Sequence, residues 1–250
     1  MFPSVSARHR GPRALLAPAA ILLLALCLLA VGAEAQPLAG DIPITNSTVI
    51  TAPGTYYLPH SLSDLAGPVG ISVQSSDVVI DGHNWYIDGQ DLAGSIGLEI
   101  RPPDGGPAIT NVTVRDLRLS NWATCLDAAA GLRLVNVTAV NGGTGFRLWG
   151  PGAVTLEGCS AEENTANGIR ADGITGDLAL ALSDVLVRAS GETGIDTRLA
   201  AVTMTDCNIL ENGAAPANGD GFRIYKGSAT VRDSRFRFNG GSGISFDTAT

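Results

Sequence analysis

The sequence predicts an all-β fold of about eight similar rungs that stack into a solenoid of parallel strands. Three observations support this prediction: a recurring glycine–apolar pair, a second alternating segment in each rung, and a recurring turn residue. The pair returns every 20 to 28 residues, with Cys125-Leu126 in place of one glycine. A repeat of this length is typical of units that bury their apolar side only against their neighbours. The other pairs are Gly70-Ile71, Gly97-Leu98, Gly145-Phe146, Gly168-Ile169, Gly194-Ile195, Gly221-Phe222 and Gly243-Ile244.

A second segment of each rung alternates apolar and polar residues, which is the period of a β-strand. Glycine and β-branched residues occur throughout the chain after the first 35 residues, and no apolar stripe at helical spacing is sustained, so we expect no helices there. The inward pairs of this second segment are Val112 and Val114, Leu132 and Leu134, Val154 and Leu156, Leu180 and Leu182, Val202 and Met204, and Ala229 and Val231.

Each rung then reaches a turn residue that is nearly always asparagine. Asparagine tolerates a left-handed backbone, and its amide can bond to the equivalent amide one rung away. The sequence therefore predicts one stacked ladder along the solenoid, similar to the amide ladders of cross-β structures. Its members would be Asn121, Asn141, Asn164, Ser190, Asn212 and Asn239.

The first 35 residues have the pattern of a secretory signal peptide. Three arginines precede an apolar run that ends in the small-residue cleavage site Ala33-Glu34-Ala35. The alternative is an uncleaved membrane anchor, because the run is nearly long enough to span a bilayer. Cleavage would leave the mature chain secreted, at the cell surface or in the periplasm, without membrane insertion. We expect residues 36–69 to form an N-terminal lead-in and cap, and residues 70–250 to form the repeats.

The last glycine–apolar pair begins a rung for which the sequence shows no atypical closing segment. Terminal repeats of solenoids are usually capped, because an open apolar end with free strand edges favours association. Two expectations follow. Either the chain is a truncated part of a longer solenoid, or its end stacks against a partner, for example by end-to-end self-association.

Charge limits the partners of the mature chain. Without the first 35 residues, 13 basic and 23 acidic residues remain, a net charge of −10. This balance argues against nucleic acid and anionic membranes as partners.

Three cysteines follow the signal segment, an odd number that leaves at least one thiol unpaired. Cys159 and Cys207 fall in one inward column two rungs apart, about 10 Å if rungs are spaced like paired strands, which is too far for a disulfide. We expect these and Cys125 to be buried thiols that pack as small apolar residues. With only His60 and His83 besides, the ligands for a copper site are too few.

Two segments resemble a known superfamily. The stretch from Ser76 to Gly89 (SDVVIDGHNWYIDG) and the lead-in from Ala52 to Leu58 (APGTYYL) are similar to right-handed parallel β-helix repeat proteins. Within them, the chain resembles the secreted proteins grouped with the nitrous-oxide-reductase maturation (periplasmic copper-binding-like) family. The resemblance covers residues 45–250 and implies a right-handed parallel β-helix, as in pectin lyase-like folds. A role in metal delivery or cofactor maturation follows from the family name alone.

The strand that carries the glycine–apolar pair presents two outward columns with a composition unlike the rest of the chain. Arginine, aspartate and aromatic residues alternate there, whereas the next strand presents mostly threonine and serine, which suit a wet sheet surface. The first column contains Ser72, Glu99, Asp127, Arg147, Arg170, Asp196, Arg223 and Ser245, and the second contains Gln74, Arg101, Ala129, Trp149, Asp172, Arg198, Tyr225 and Asp247.

Three interpretations of these columns remain open. The charges could form a purely structural cross-strand ladder. They could bind a polysaccharide or cell-surface glycan, with Trp149 and Tyr225 stacked on sugar rings and Arg147 and Arg198 bound to carboxylates. They could also catalyse. The candidate residues for hydrolysis are Glu99 with Asp127 or Asp172 with Asp196. For a lyase, the base would be Arg170, Arg198 or Arg223, with Asp172 and Asp196 as carboxylates that hold calcium.

A cluster of aspartates near the first full rung suggests a calcium site, the one cofactor the sequence brings into question. Asp-Gly turns give the same pattern for conformational reasons alone. The residues concerned are Asp77, Asp81, Asp88 and Asp91.

The sequence therefore predicts a secreted β-helix module that binds carbohydrate without catalysis or serves as a cell-surface scaffold. The alternative is a pectinase-like polysaccharide lyase or glycoside hydrolase that acts on an acidic polysaccharide.

Overall fold

The computed structural model describes residues 40–129, 131–173, 177–213 and 219–247. These residues form strands and no helix, so none of them belongs to a helix that could span a membrane. Numbered along the chain, the strands are β1 (Ile42–Pro43), β2 (Thr48–Ile50), β3 (Gly54–Tyr57), β4 (Val69–Val73), β5 (Val78–Asp81), β6 (Tyr86–Asp88), β7 (Ile96–Ile100), β8 (Val112–Ser120), β9 (Thr124–Ala129), β10 (Leu132–Val140), β11 (Thr144–Trp149), β12 (Gly152–Glu157), β13 (Ser160–Glu162), β14 (Ile169–Asp172), β15 (Leu178–Ser183), β16 (Leu186–Arg188), β17 (Ile195–Arg198), β18 (Ala200–Thr205), β19 (Asn208–Leu210), β20 (Phe222–Tyr225), β21 (Ser228–Arg232), β22 (Arg235–Arg237) and β23 (Ile244–Asp247).

Every strand pairs in parallel with its equivalent one turn away. One sheet has nine strands in the order β2-β4-β7-β9-β11-β14-β17-β20-β23. A second sheet of 14 strands follows the path β1-β3-β5-β8-β10-β12-β15-β18-β21, with β6, β13, β16, β19 and β22 beside it. Successive neighbours are about one repeat apart in sequence, which confirms the predicted all-β solenoid of about eight turns.

The second sheet bends into two faces at a residue with a left-handed backbone. Strands β8 and β10 are each nine residues long and continue around this bend. Asp116 and Asn136 occupy it with φ of 53°, a conformation that asparagine, aspartate and glycine tolerate best. In the next turns Gly158, Asp184 and Asp206 take the same place, and there the strand is interrupted. Each full turn therefore has three short straight segments.

The prediction of a single asparagine ladder is wrong in its register. Asn121 and Asn141 have φ of 58° and 53° and belong to a column of left-handed turn residues. Asn164, Asn212 and Asn239 lie one position later in their turns, in a column that points into the coil. The register of the flanking strands fixes this offset, because Ser120, Val140 and Glu162 are aligned.

Amide stacking is confined to the inward column. The Asn239 Oδ1 accepts a hydrogen bond of 3.0 Å from Asn212 Nδ2, and the Asn212 Oδ1 accepts one of 3.0 Å from the Ser190 backbone N–H. Asn212 also donates to the Val187 carbonyl of the preceding turn at 3.2 Å. These bonds tie buried polar groups of adjacent turns together, so no amide in the stack is left without a partner.

Trp122 lies in the same inward column as the asparagines. Its indole N–H makes the hydrogen bond that the asparagine amides make in other turns. Its Nε1 donates to the Ile87 carbonyl of the preceding turn at 3.2 Å, as the asparagine amides do elsewhere. The indole is fully buried against the repeat glycines of its own region. A Cβ on Gly70 or Gly97 would lie about 3 Å from the indole ring, closer than side chains pack.

Glycine recurs in the glycine–apolar pairs because residues of the inward column occupy the space that a side chain would need. A Cβ on Gly194 would lie 2.8 Å from Asn212 Nδ2. Cys125 breaks the glycine pattern because its own turn has Gly142 in the inward column. A Cβ on Gly142 would lie 2.7 Å from Cys125 Sγ, so the large and small residues have exchanged places.

The three cysteines are unpaired and buried, as predicted. Burial raises the pKa of the Cys125 thiol to about 12 and that of Cys159 to about 11, which keeps both protonated at neutral pH. Cys159 and Cys207 lie in the inward column predicted for them, with Val185 between.

The described part of the predicted lead-in already belongs to the coil. β2 pairs with β4 in the nine-stranded sheet, and β1 and β3 begin the other sheet. The predicted signal peptide, residues 1–35, lies outside the described residues. At the other end, Phe238 and Phe246 are 82% and 66% exposed.

Candidate functional site

The outward side of the nine-stranded sheet carries the two columns that the sequence predicts. The strand register aligns Glu99, Asp127, Arg147 and Arg170 in the first column, and Asp196, Arg223 and Ser245 continue it. The second column is aligned in the same way from Ala129 to Asp247. We call this surface the arginine face, defined by Arg101, Arg147, Arg170, Arg198 and Arg223.

Burial separates the two charge signs on the arginine face. The five arginine side chains keep between 39% and 51% of their surface exposed. The side chains of Glu99, Asp127 and Asp196 keep only 10%, 6% and 3%. Long arginine side chains lie over short carboxylates, so solvent meets mainly guanidinium groups although the formal charges nearly balance.

Asp196 is the centre of the C-terminal half of this face. Its two carboxylate oxygens accept a bidentate pair from Arg223, at 3.0 Å from Nε and 2.9 Å from Nη2. Arg198 approaches the same carboxylate at 3.9 Å. The hydrogen bonds that Arg223 donates to Asp196 raise the pKa of Arg223 above its ordinary value. A bidentate pair of this kind is the strongest ion-pair geometry available to arginine.

Asp127 is the centre of the N-terminal half. Its Oδ1 accepts a hydrogen bond of 2.7 Å from Trp149 Nε1, and Arg147 Nη1 lies 3.8 Å from Oδ2. Burial raises the pKa of Asp127 above its ordinary value, although Arg147 and Trp149 act in the opposite direction. Next to it, Glu99 is held by Arg101, whose Nε donates to Oε1 at 2.6 Å.

Arg147 is the arginine with the least compensation on this face. It is aligned with Arg170 of the next turn, which is a like-charge neighbour. Arg170 hydrogen-bonds Asp172 at 2.7 Å, whereas the distance from Arg147 to Asp127 is too long for a hydrogen bond. Within the described part of the chain, most N–H donors of the Arg147 guanidinium are therefore free to bind a ligand.

An open depression of about 270 Å³ lies at the C-terminal end of the arginine face. Asp196, Arg198, Arg223, Tyr225 and Asp247 line it. The structure therefore brings two predicted binding residues, Arg198 and Tyr225, to one place. The other two, Arg147 and Trp149, lie together in the N-terminal half, so the four predicted binding residues form two pairs on one surface.

A second surface cavity lies at the edge of the arginine face beside Trp149. It is an apolar recess of about 390 Å³. The repeat pattern does not indicate it, because much of its wall comes from the non-repeating connections at residues 102–110 and 150–152. In the sequence, the prolines and glycines of those two connections are the feature that could have indicated the recess. Among its lining residues are Pro102, Ile109, Ala129, Trp149, Pro151 and Ala153.

The outward surface of β8, β10, β12, β15, β18 and β21, which we call the threonine face, has a different character. Its residues include Thr113, Arg133, Thr155, Glu157, Ala181, Thr203 and Thr205. Arg133 and Glu157 form an ion pair at 2.7 Å in which both side chains are well exposed. The pKa of Glu157 is lowered by the hydrogen bond from Arg133.

Two of the predicted calcium ligands, Asp81 and Asp88, are held by neighbouring side chains. Asp81 is ion-paired to Arg115 at 2.7 Å, and Asp88 Oδ1 accepts hydrogen bonds from Ser120 and Asn121. Asp91 lies in a turn with φ of 51°. Within the described ranges, no three His, Cys, Asp or Glu side chains gather as a metal site would require. The structure therefore does not bring these aspartates together as a ligand set.

The fold and the register of its columns define a parallel β-solenoid with one charged and aromatic sheet surface. A family model described as "right handed beta helix region" matches residues 67–250, so the chain belongs to the right-handed β-helix family. No curated protein matches the chain significantly. The narrower resemblance to the nitrous-oxide-reductase maturation family stays a prediction.

Several solved structures are similar to the chain. Pectate lyase Pel9A is 15% identical, with a TM-score of 0.42 over 76% of this chain and 53% of its own. The gp42 tailspike of Acinetobacter phage vb_AbaP_AS12 is 13% identical, with a TM-score of 0.44 over 82% of this chain and 39% of its own. The chain thus spans about half of the lyase and about two fifths of the tailspike.

Proposed function

We propose that the chain is a secreted, non-catalytic module that binds an acidic polysaccharide along its arginine face. The observation that carries this proposal is the separation of charge by depth: guanidinium groups are exposed and the carboxylates beside them are buried. A polymer that carries carboxylates would meet donors there without first displacing the buried acidic groups.

The charge of the rest of the chain makes this local surface more selective. Without the first 35 residues the chain carries a net charge of −10, so an acidic polymer is repelled from most of its surface. A strip of exposed arginines would then be the place where such a polymer could lie. Rungs are spaced about 5 Å apart, so an extended chain would cross several of them.

The aromatic residues supply the apolar contacts that sugar rings need. Trp149 is held by its hydrogen bond to Asp127, and Tyr225 has the Lys226 Nζ 5.3 Å from its ring centre. Both residues are partly exposed on the same surface as the arginines. A tryptophan fixed in one orientation loses little conformational freedom on binding, which favours affinity.

The contacts of the carboxylates favour binding over catalysis. Glu99, Asp127, Asp172 and Asp196 each accept at least one hydrogen bond from an arginine or from Trp149. One observation supports an enzyme as the second candidate. Burial raises the pKa of Asp127, as the general acid of a glycoside hydrolase requires, and Glu99 lies beside it as a second carboxylate.

The test is to measure binding and turnover on the same panel of polysaccharides. The panel contains polygalacturonate, polymannuronate and hyaluronate, with carboxyl-reduced samples of each as neutral controls. We expect binding of at least one acidic polymer, weaker at high salt, and no release of reducing ends or unsaturated uronates. Binding of the neutral samples with equal affinity would contradict the proposal. Product release that Asp127→Asn abolishes would establish the enzyme instead. Export and end-to-end association stay predictions beside this proposal.

A further inference from the structure

The recess beside Trp149 has walls whose glycine amides are already used as hydrogen-bond donors. The backbone amides of its four glycines all donate to carbonyl oxygens, at distances from 2.8 to 3.3 Å. The Thr110 amide donates to Ser76 Oγ at 3.1 Å. A polar group placed in the recess would lose hydration without gaining these donors. The glycines are Gly106, Gly131, Gly150 and Gly152.

Ala129 opens the recess within the second outward column. In that column it lies between Arg101 and Trp149, both of which have long side chains. Its methyl group leaves the space beside the indole unfilled, and the neighbouring connections wall this space with Pro102 and Ile109. The recess is thus continuous with the arginine face, and the Trp149 indole borders both.

A charged anchor lies close to this apolar space. Arg147 is two residues before Trp149 on β11, on the same side of the strand and therefore about 7 Å away. Its side chain is 51% exposed and lies 3.8 Å from its nearest carboxylate. A ligand bound at both places must carry an anionic group and a small apolar group within about one sugar unit.

We propose that the ligand of the arginine face is an O-acetylated acidic polysaccharide, with acetyl methyl groups in the recess and carboxylates on Arg147. This inference rests on the proposed function. An O-acetyl ester supplies a methyl group and leaves the uronate carboxylate charged, so one polymer satisfies both places. A free hydroxyl at the same position would have to enter a space without free glycine donors.

The experiment compares binding of O-acetylated and de-O-acetylated samples of the same polymers. Polygalacturonate and polymannuronate are each used in both forms, and affinities are measured by calorimetry. Burial of one methyl group predicts about fourfold tighter binding of the acetylated form. Ala129→Leu occupies the space beside the Trp149 indole, so it should remove the preference for the acetylated form. Ala181→Leu, at an outward alanine of the threonine face, is the matched control and should keep the preference.

The outcomes separate the two proposals. Equal binding of both forms by the wild-type protein overturns the acetyl inference and leaves the binding function of the arginine face standing. Binding of neither form of either polymer, and of no other acidic polymer, overturns both. A preference that survives Ala129→Leu but not Ala181→Leu would place the acetyl site on the threonine face and contradict the inference.

Discussion

The arginine face and the threonine face are built on the same coil from the same parallel strand pairing, and they present different chemistry to solvent. On the arginine face, buried carboxylates lie beneath long, exposed guanidinium groups. On the threonine face, short hydroxyl side chains dominate, and the Arg133–Glu157 pair is exposed in both members. The edge of the threonine face has one pair of the other kind, Arg115 over the buried Asp81, whereas on the arginine face this arrangement recurs from Glu99 to Asp196. A threonine-rich exterior is therefore enough for most of the coil, and the repeated charged arrangement is a special feature of one face.

The largest difference between the faces should appear in stability when one carboxylate is removed. Asp196→Ala leaves Arg223 and Arg198 without a buried partner, although both arginines can still reach water. We expect a loss of about 2 kcal/mol in the free energy of unfolding, measured by urea denaturation. Glu157→Ala on the threonine face is the control and should cause a much smaller loss, because both members of its ion pair are exposed. Equal losses would mean that the two faces are energetically alike.

The next effect concerns the aromatic anchor of the arginine face. Trp149→Ala removes the stacking surface and should weaken binding of the acidic polymer by about tenfold or more. Trp149→Phe keeps an aromatic ring but cannot donate to Asp127, so it should retain most of the affinity. Calorimetry of both variants distinguishes stacking from the positioning hydrogen bond. Similar losses in the two variants would assign the effect to the contact with Asp127.

A smaller effect with opposite signs on the two faces is expected in the pH dependence of stability. Burial raises the pKa of Asp127 in the folded protein, so the folded state binds more protons just above the ordinary aspartate pKa. Its ionisation therefore lowers stability as pH rises through the raised pKa. Glu157 has a lowered pKa, so its contribution is present above its ordinary pKa and is lost as pH falls through the lowered one.

Denaturation of Asp127→Asn and Glu157→Gln from pH 3 to pH 7 measures this contrast. Relative to the wild type, Asp127→Asn should gain stability as pH rises, and Glu157→Gln should lose stability as pH rises. The same sign in both variants would contradict the difference in burial between the two carboxylates.

The sequence predicts the solenoid and the alignment of outward columns because both follow from strand period and repeat length. The pairing Arg147–Arg170 and the place of Cys125 among the glycines can be read from the repeats alone. The offset between Asn141 and Asn164 cannot, because both residues follow a strand and only the backbone shows which one is left-handed. Alignment of the repeats by sequence therefore does not reveal this one-residue shift between the two asparagine columns.

The site is less predictable than the fold because its properties depend on how side chains fold over one another. Alternation places Asp127 and Asp196 outward, and this is correct. It does not reveal that arginine and tryptophan side chains lie over them, or that burial raises the pKa of Asp127. The recess beside Trp149 depends on connections outside the repeat, which no alignment of rungs describes.

The most direct test of the binding face reverses one charge on each surface. Arg147→Glu and Arg133→Glu change the net charge of the protein equally, but only Arg147 lies on the arginine face. Binding of the acidic polymer that the wild-type protein prefers is measured by calorimetry at low salt. We predict a loss of at least tenfold for Arg147→Glu and nearly unchanged affinity for Arg133→Glu. Equal losses in the two variants, or full affinity in Arg147→Glu, would contradict the proposed role of the arginine face.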